Sequence, residues 1–423
     1  MASTGLNSSV QEADVSATRA DIVVALTSDN DVQTIGPVAR AVRDGLARYF
    51  SSSAARIVLA DAGSTDGTRD AAREIVGAGA LIEVEYPSPV GFVEMPYHGL
   101  PGRAIALRMG LQVAFHLEAK ACAFVDARLH AAEPEWIERL LGPVLTDGFD
   151  YVSPYYVRHK NEGAITKGIV YPTFRALYGA RLRQPAAGEF GCSARLIAHY
   201  LEQGFWEVDH AHLGIDLWLA VAAVCGEFRV CEAALGVRHI ASRDAIPDLS
   251  TTLSQVMGAL FADLEARADV WQRVRGSFAI PVFGSAAAVG PETPSLNLEA
   301  LMESFRLGYR ELRDVWTWVL PPRTIVELRK LAVAASDRFT LDDHLWARII
   351  YDFAFGYIQR VMPREHVLRS LTPLYSGWLA SFIHQVRDAT PEQLDERIER
   401  VCLAFEAEKR YLISRWRWPE RLR

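Results

Sequence analysis

The strongest constraint on this chain is a motif that occurs three times: a short apolar run that ends at acidic residues and gives way to a helical stretch. Asp21-Ile22-Val23-Val24-Ala25-Leu26 runs into polar Thr27-Ser28-Asp29-Asn30-Asp31. Arg56-Ile57-Val58-Leu59-Ala60 ends in Asp61, and Ala121-Cys122-Ala123-Phe124-Val125 ends in Asp126. Apolar runs without alternation fit strands covered on both faces. Between them, Ile35, Val38, Val42, Leu46 and Tyr49 fall at helical spacing over residues 32–50. A further strand is expected at 81–86 and a further helix near 102–117. This alternation predicts an α/β domain whose mostly parallel sheet is covered by helices. Ligands of such sheets sit beyond the carboxyl ends of the strands, where Asp29, Asp61 and Asp126 stand.

The pattern changes after about residue 245. Leu253, Val256, Met257, Leu260, Phe261 and Leu264 form one apolar stripe, and similar stripes recur near 297–318, 322–334, 341–361 and 394–413. Residues 276–296, rich in Gly, Pro and Ser, read as a linker or long loop. At 423 residues the chain exceeds one ordinary core. The expected organisation is a disordered leader over 1–20, an α/β domain over 21–245 and a helical domain over 246–423. The apolar stripes either mediate a homodimer or pack on the first domain. The formal net charge of −7 argues against nucleic acid as the main partner. No apolar run reaches the length of a membrane span. The basic, aromatic end Arg415-Trp416-Arg417-Trp418-Pro419 is read as packing onto the body rather than onto a membrane. Five cysteines, odd in number and without a C-x-x-C pair, fit buried thiols in a cytoplasmic protein.

Four segments carry chemistry. Asp61-Ala62-Gly63-Ser64-Thr65-Asp66-Gly67-Thr68 stands at a strand-to-helix turn. There Gly63 permits a tight turn, Ser64 or Thr65 is expected to cap the helix, and Asp66 suits its positive end. Asp61 either belongs to this turn or accepts hydrogen bonds from a nucleotide. Gly102-Arg103 before a helix is a natural anion site. Asp126-Ala127-Arg128 follows a buried strand, and a guanidinium there pairs with phosphate but cannot ligate a cation. The fourth set comprises Ser153 to Thr166, Arg183-Gln184-Pro185-Ala186-Ala187-Gly188-Glu189, Leu213-Gly214-Ile215-Asp216 and Val237-Arg238-His239.

The first segment resembles the D-G-S-x-D-G-T element of family-2-like glycosyltransferases with the GT-A fold. Asp126-Ala127-Arg128 takes the place of their D-x-D, with Arg128 for the second acid, so that Arg128 either takes over part of a metal's charge role, marks a site that has lost activity, or points away and leaves the metal to neighbouring groups. Gly102-Arg103-Ala104 resembles their G-K-G. The ordered fourth set resembles mannosylglycerate synthase, glucosyl-3-phosphoglycerate synthase and the related glucosylglycerate synthases, with Ala187 in place of a glycine. The resemblance covers residues 21–245 and continues more loosely into the helical domain.

That resemblance implies a GT-A (Rossmann-like) catalytic domain followed by an all-helical domain. It also implies transfer of glucose or mannose, with retention, from a nucleoside diphosphate sugar to a small hydroxy acid such as glycerate or 3-phosphoglycerate, in compatible-solute chemistry. The implied metal is Mg²⁺ or Mn²⁺, held by Asp126 and His239. Asp29, Asp61, Gly102, Arg103 and Arg128 fall to the donor. Arg158, Thr166, Gln184 and Gly188 fall to substrate binding, with Arg158 and Thr166 holding the acceptor carboxylate. Asp126, Glu189 and Asp216 face the reaction. In a retaining front-face reaction the leaving phosphate itself takes the acceptor proton, so no separate base is assigned. Two rivals stand beside this: a non-catalytic binding protein on the same scaffold, and a nucleotidyltransferase. The second is discounted because Thr27-Ser28-Asp29-Asn30-Asp31 has no glycine.

Overall fold

The run Ile22–Ser28 forms strand β1, and all of its residues are buried, as a non-alternating apolar run requires. The computed structural model describes residues 19–77, 79–87, 100, 102–207, 214–240, 248–285 and 296–417. The leader over 1–20 therefore lies almost wholly outside the described residues, as do Gly99, Pro101, Leu213, Trp418, Pro419 and part of the 276–296 segment. Seven further strands follow: β2 (Ala55–Asp61), β3 (Leu81–Glu85), β4 (Ala121–Asp126), β5 (Tyr151–Val157), β6 (Phe190–Ser193), β7 (Val230–Val237) and β8 (Val282–Phe283). They make one sheet in the order β3-β2-β1-β4-β6-β5-β7-β8.

All pairings are parallel except those of β6, which runs antiparallel to both β4 and β5. Phe124 pairs with Phe190, so β6 begins where β4 ends. Glu189, one residue before β6, is thereby carried to the carboxyl rim of the parallel strands. The same rim receives Asp61 at the end of β2, Asp126 at the end of β4 and Arg238 just past β7.

The chain divides into two compact units, and the divide is not one cut. The first comprises the described residues of Met1–Val157, Gln184–Pro247 and Ile280–Val289; the second comprises those of Arg158–Arg183, Asp248–Ala279 and Gly290–Arg423. The segment Arg158–Arg183, read from sequence as part of the α/β domain, thus clusters with the helices. The expected linker contributes β8 to the sheet, with Glu232 N donating to Pro281 O at 2.8 Å.

The second unit is helical: Leu249–Ala266, Leu298–Trp316, Pro322–Ala332, Asp343–Ile358, Arg364–Ser370, Thr372–Val386 and Pro391–Arg417 are its longer elements apart from Tyr171–Tyr178. Among the described residues no helix is long and apolar enough to cross a membrane. A π-helical turn, Thr166–Val170, leads into the helix Tyr171–Tyr178. Trp346 Nε1 donates to Gly168 O at 2.9 Å, and the Trp378 ring stacks on Trp346 with centroids 5.5 Å apart. A Cβ on Gly168 would come within 2.0 Å of the Trp378 ring, so this turn accepts only glycine there. Trp416 of the basic tail packs edge-on to Trp271 at 5.2 Å.

Buried Asp352 in the helix Asp343–Ile358 gives this unit a pH response. Burial pushes its carboxyl up to about 7 despite Arg415 and the hydroxyl of Tyr411. Tyr411 donates at 2.7 Å, and Arg415 Nε lies 3.0 Å away without hydrogen-bond alignment. The folded state then keeps a proton that the unfolded chain loses near its ordinary value of 3.8, so stability falls as pH rises from about 4 to about 7 and is level above. Across that window the loss amounts to roughly 4 kcal/mol. Asp352→Asn is expected to abolish most of that slope. Urea unfolding at several pH values checks this, and parallel profiles for the two proteins would refute it.

Candidate active site

The rim is built from three arginine–carboxylate pairs, each closed by a two-point fork. Arg128 donates Nε to Asp126 Oδ1 at 3.0 Å and Nη2 to Oδ2 at 2.7 Å, and its backbone N adds a third bond to Oδ1 at 2.9 Å. Arg238 donates Nε to Glu189 Oε2 at 2.9 Å and Nη2 to Oε1 at 2.8 Å. Arg103 donates Nε to Asp216 Oδ2 at 2.8 Å and Nη2 to Oδ1 at 2.7 Å, and it also donates to the Gly188 carbonyl. Arg238 Nη2 lies 3.9 Å from Asp126 Oδ2, which links two of the pairs. Asp126, Glu189, Asp216, Arg103 and Arg128 are all under 5% exposed.

Local structure explains each placement. Asp126 closes β4, and its carboxylate folds back over its own turn to Arg128. Arg103 opens the helix Arg103–His116 behind Gly102, whose φ of 66° is left-handed. Asp216 occupies the first turn of the helix Ile215–Cys225. Gly188 has φ 108°, a conformation that side chains disfavour, and this turn aims its carbonyl at Arg103. Gln184 Nε2 donates to the Tyr156 carbonyl at 2.7 Å, and Ser153 Oγ donates to the Gln184 carbonyl at 3.2 Å. Tyr156 in turn donates its hydroxyl to Glu189 Oε2 at 2.7 Å.

Charges within the ring reinforce one another. Burial opposes ionisation of Asp126, but Arg128, with Arg238 and Arg103, outweighs it and holds the carboxyl well below the usual range. Burial also works against the charge on Arg103 and Arg238. Asp216 and Glu189 respectively outweigh it and lift both guanidiniums above their ordinary range. Three cations and three anions balance.

A second cluster joins the loops after β1 and β2. Asp61 Oδ2 accepts from Ser28 Oγ at 2.6 Å and from Ser64 Oγ at 2.7 Å, while Oδ1 accepts from Ser64 N at 2.6 Å. Asn30, with φ 53°, accepts from Thr65 N at 3.0 Å and donates its own N to Ser64 Oγ at 2.8 Å. Asp31 N donates to Thr68 Oγ1 at 2.7 Å, and Asp29 accepts from the Asn30 amide at 3.0 Å. The expected capping by Ser64 or Thr65 does not occur. Gly67, at φ 97°, is the N-cap of Thr68–Val76, and no side chain caps it there. Ser64 is instead spent on Asp61, and Asp66 accepts from both Thr68 N and Val32 N at 3.0 Å.

The structure thus joins Asp126, Arg128, Arg103, Glu189, Asp216, Gly188 and Gln184, and it sets Asp29 and Asp61 in the adjoining loop pair. Arg158 and Thr166 belong to the second unit, where Arg158 lies against Gly163 and Thr166 opens the π-helical turn. The expected metal pair does not form as a ligand set. Both Asp126 oxygens are engaged by Arg128. His239 is exposed, and its turn contributes its carbonyl, which accepts from His130 N at 2.9 Å. Among the described residues no group of three or more His, Cys, Asp or Glu is placed to hold a metal. The side chains present do not fit a divalent cation. Arg238 and Tyr156 were not assigned roles from sequence; both lie in quoted motifs, with Arg238 beside the favoured His239.

No family model matches the chain. Glucosyl-3-phosphoglycerate synthase of Mycolicibacterium smegmatis (strain ATCC 700084 / mc(2)155) is 26% identical over 271 residues, which cover 59% of this chain and 80% of that protein. The crystal structure of glucosyl-3-phosphoglycerate synthase from Mycobacterium tuberculosis with Mg²⁺ and uridine diphosphate is 21% identical. It covers 63% of this chain and 83% of its own, at a TM-score of 0.43. Mannosyl-3-phosphoglycerate synthase from Rubrobacter xylanophilus is 21% identical and covers 64% and 80%, at a TM-score of 0.41. In sequence the chain is similar to glucosyl-3-phosphoglycerate synthase, and its mostly parallel sheet with one reversed strand, accompanied by a helical unit, is an α/β fold.

Proposed function

We propose that this chain is a hexosyltransferase that moves glucose or mannose, with retention, from a nucleoside diphosphate sugar to a small hydroxy acid such as glycerate or 3-phosphoglycerate. The observation that carries this reading is the largely buried cluster of three arginine–carboxylate pairs at the carboxyl rim of the parallel strands. It lies where such sheets bind ligands and brings guanidinium groups, the charge type that recognises phosphate, to that rim. Similarity to glucosyl-3-phosphoglycerate synthase supports it.

In this reading Asp29, Asp61 and the locked loop pair receive the nucleoside. Gly102, Arg103 and Arg128 face the diphosphate. Glu189 and Asp216, held by Arg238 and Arg103, orient the sugar and the acceptor hydroxyl. Gln184 and Gly188 shape the turn that presents Glu189. Arg158 and Thr166 take the acceptor carboxylate, an assignment that rests on the resemblance alone. The leaving phosphate accepts the proton of the acceptor hydroxyl as the new glycosidic bond forms on the face it vacates.

The test is direct. Purified protein is incubated with UDP-, GDP- or ADP-linked glucose and mannose, each with glycerate or 3-phosphoglycerate, and the products are analysed by mass spectrometry and NMR. One donor–acceptor pair is expected to yield a hexosyl product whose anomeric configuration matches the donor. Binding of a nucleotide sugar without product from any acceptor would favour the non-catalytic scaffold.

A further inference from the structure

We infer that Arg128 is a built-in replacement for the divalent cation, and that this site binds the diphosphate of its donor without a metal. The inference rests on the reading of the rim as a nucleoside diphosphate sugar site and specifies how that site handles charge.

Three observations carry it. First, Asp126, to which the resemblance assigns the cation, has both oxygens occupied by Arg128 at 2.7–3.0 Å. A metal ion would have to break two charge-assisted bonds to reach it. Second, the neighbouring carboxylates are already paired with guanidiniums. Arg238 lies 3.9 Å from the same carboxylate, and Arg103 is held by Asp216 and the Gly188 carbonyl. A divalent ion entering here would find each of the three carboxylates already held by a guanidinium, which itself cannot ligate a cation. Third, the charge arithmetic closes. Exchanging an acid for an arginine changes the site by two units of charge, the amount that a divalent ion brings to an acidic pair. Asp126 with Arg128 is therefore as neutral as two aspartates carrying Mg²⁺ or Mn²⁺.

In this arrangement Asp126 is a positioning residue. It holds Arg128 in one orientation, and the guanidinium supplies the fixed positive charge that a developing diphosphate leaving group needs. Held in place by Asp126, the guanidinium is also pre-organised, so less freedom is lost on meeting phosphate than with a flexible lysine.

The experiment compares wild type with Arg128→Asp, which recreates an acidic pair, and with Arg128→Met. Isothermal titration with UDP, GDP and ADP is run in EDTA and in saturating Mn²⁺, and Mn²⁺ binding without nucleotide is followed by electron paramagnetic resonance. For wild type, the nucleotide that binds is expected to do so within about threefold of the same Kd in both conditions, a difference under 1 kcal/mol. Wild type is also expected to leave Mn²⁺ free. Arg128→Asp is expected to bind Mn²⁺ and to lose about tenfold or more in nucleotide affinity in EDTA, recovered with Mn²⁺. Arg128→Met is expected to lose affinity in both conditions. Wild-type binding that vanishes in EDTA and returns with Mn²⁺ would overturn the inference and leave the proposed function standing. No nucleotide binding in either condition would overturn both. Should Arg128→Asp fail to fold, the wild-type comparison and Arg128→Met decide the matter alone.

Discussion

Arg103→Met is expected to destabilise the first unit by about 3–5 kcal/mol, the range for stripping one partner from a buried ion pair. Both side chains are almost fully enclosed: 2% of Arg103 and 4% of Asp216 is exposed. The substitution leaves the Asp216 carboxylate without its fork and the Gly188 carbonyl without its donor. A lysine would restore charge but not the two parallel bonds, so Arg103→Lys should recover only part of the loss. The double variant Arg103→Met, Asp216→Leu removes both charges together and should regain most of the stability, since replacing a whole buried pair by apolar groups is often neutral. Urea unfolding of the four proteins measures this. If Arg103→Met alone lost under 1 kcal/mol, the pair would not be the closed, dry contact described above.

Glu189→Gln should separate chemistry from folding. The amide keeps the size of the side chain and can still accept from the Tyr156 hydroxyl. It gives up the negative charge that Arg238 holds at 2.8 and 2.9 Å. Arg238 keeps the attraction of Asp126, 3.9 Å away, and its side chain is 13% exposed to water, so the fold should survive. A shift of Arg238 toward Asp126 would misplace groups around the reacting centre, and errors of that size cost on the order of 10²-fold in rate. Hexosyl transfer is therefore expected to fall about 10²-fold in kcat, while nucleotide affinity changes by less than about threefold. Equal losses in binding and turnover would instead mark Glu189 as part of the donor cradle.

The strands β1, β2 and β4 were legible because a strand buried on both faces needs a continuous apolar run, and Ile22–Ser28, Ala55–Asp61 and Ala121–Asp126 supply one. The reversed strand was not. Phe190–Ser193 has four residues, among them glycine and serine, and nothing in its composition reveals direction. Val282–Phe283 sits within a segment that reads as linker because its pairing with β7 is a tertiary event. The helix Thr372–Val386 escaped the search for stripes since most of its residues are buried and no one face stands out. At the site the residues were legible and their partners were not. Asp126, Arg103, Glu189 and Asp216 stand in recognisable motifs, yet the pairing of Arg103 with Asp216 spans 113 positions. Attention to His239 as a metal ligand passed over Arg238, whose planar fork suits the glutamate that β6 delivers.

The sequence distances within the ring also bear on how the protein is made. Asp126 and Arg128 are two residues apart and can pair as soon as they are synthesised. Glu189 waits 49 residues for Arg238, and Arg103 waits 113 for Asp216. Closing the longer loop costs only about 0.7 kcal/mol more than closing the shorter one. The delay is thus one of order rather than of energy. Until Arg238 has emerged and β7 has docked beside β5, Glu189 has no cation to justify its burial. A nascent chain is therefore discouraged from sealing its rim early, and electrostatic closure of the site becomes a late step that leaves only β8 of the sheet to be added.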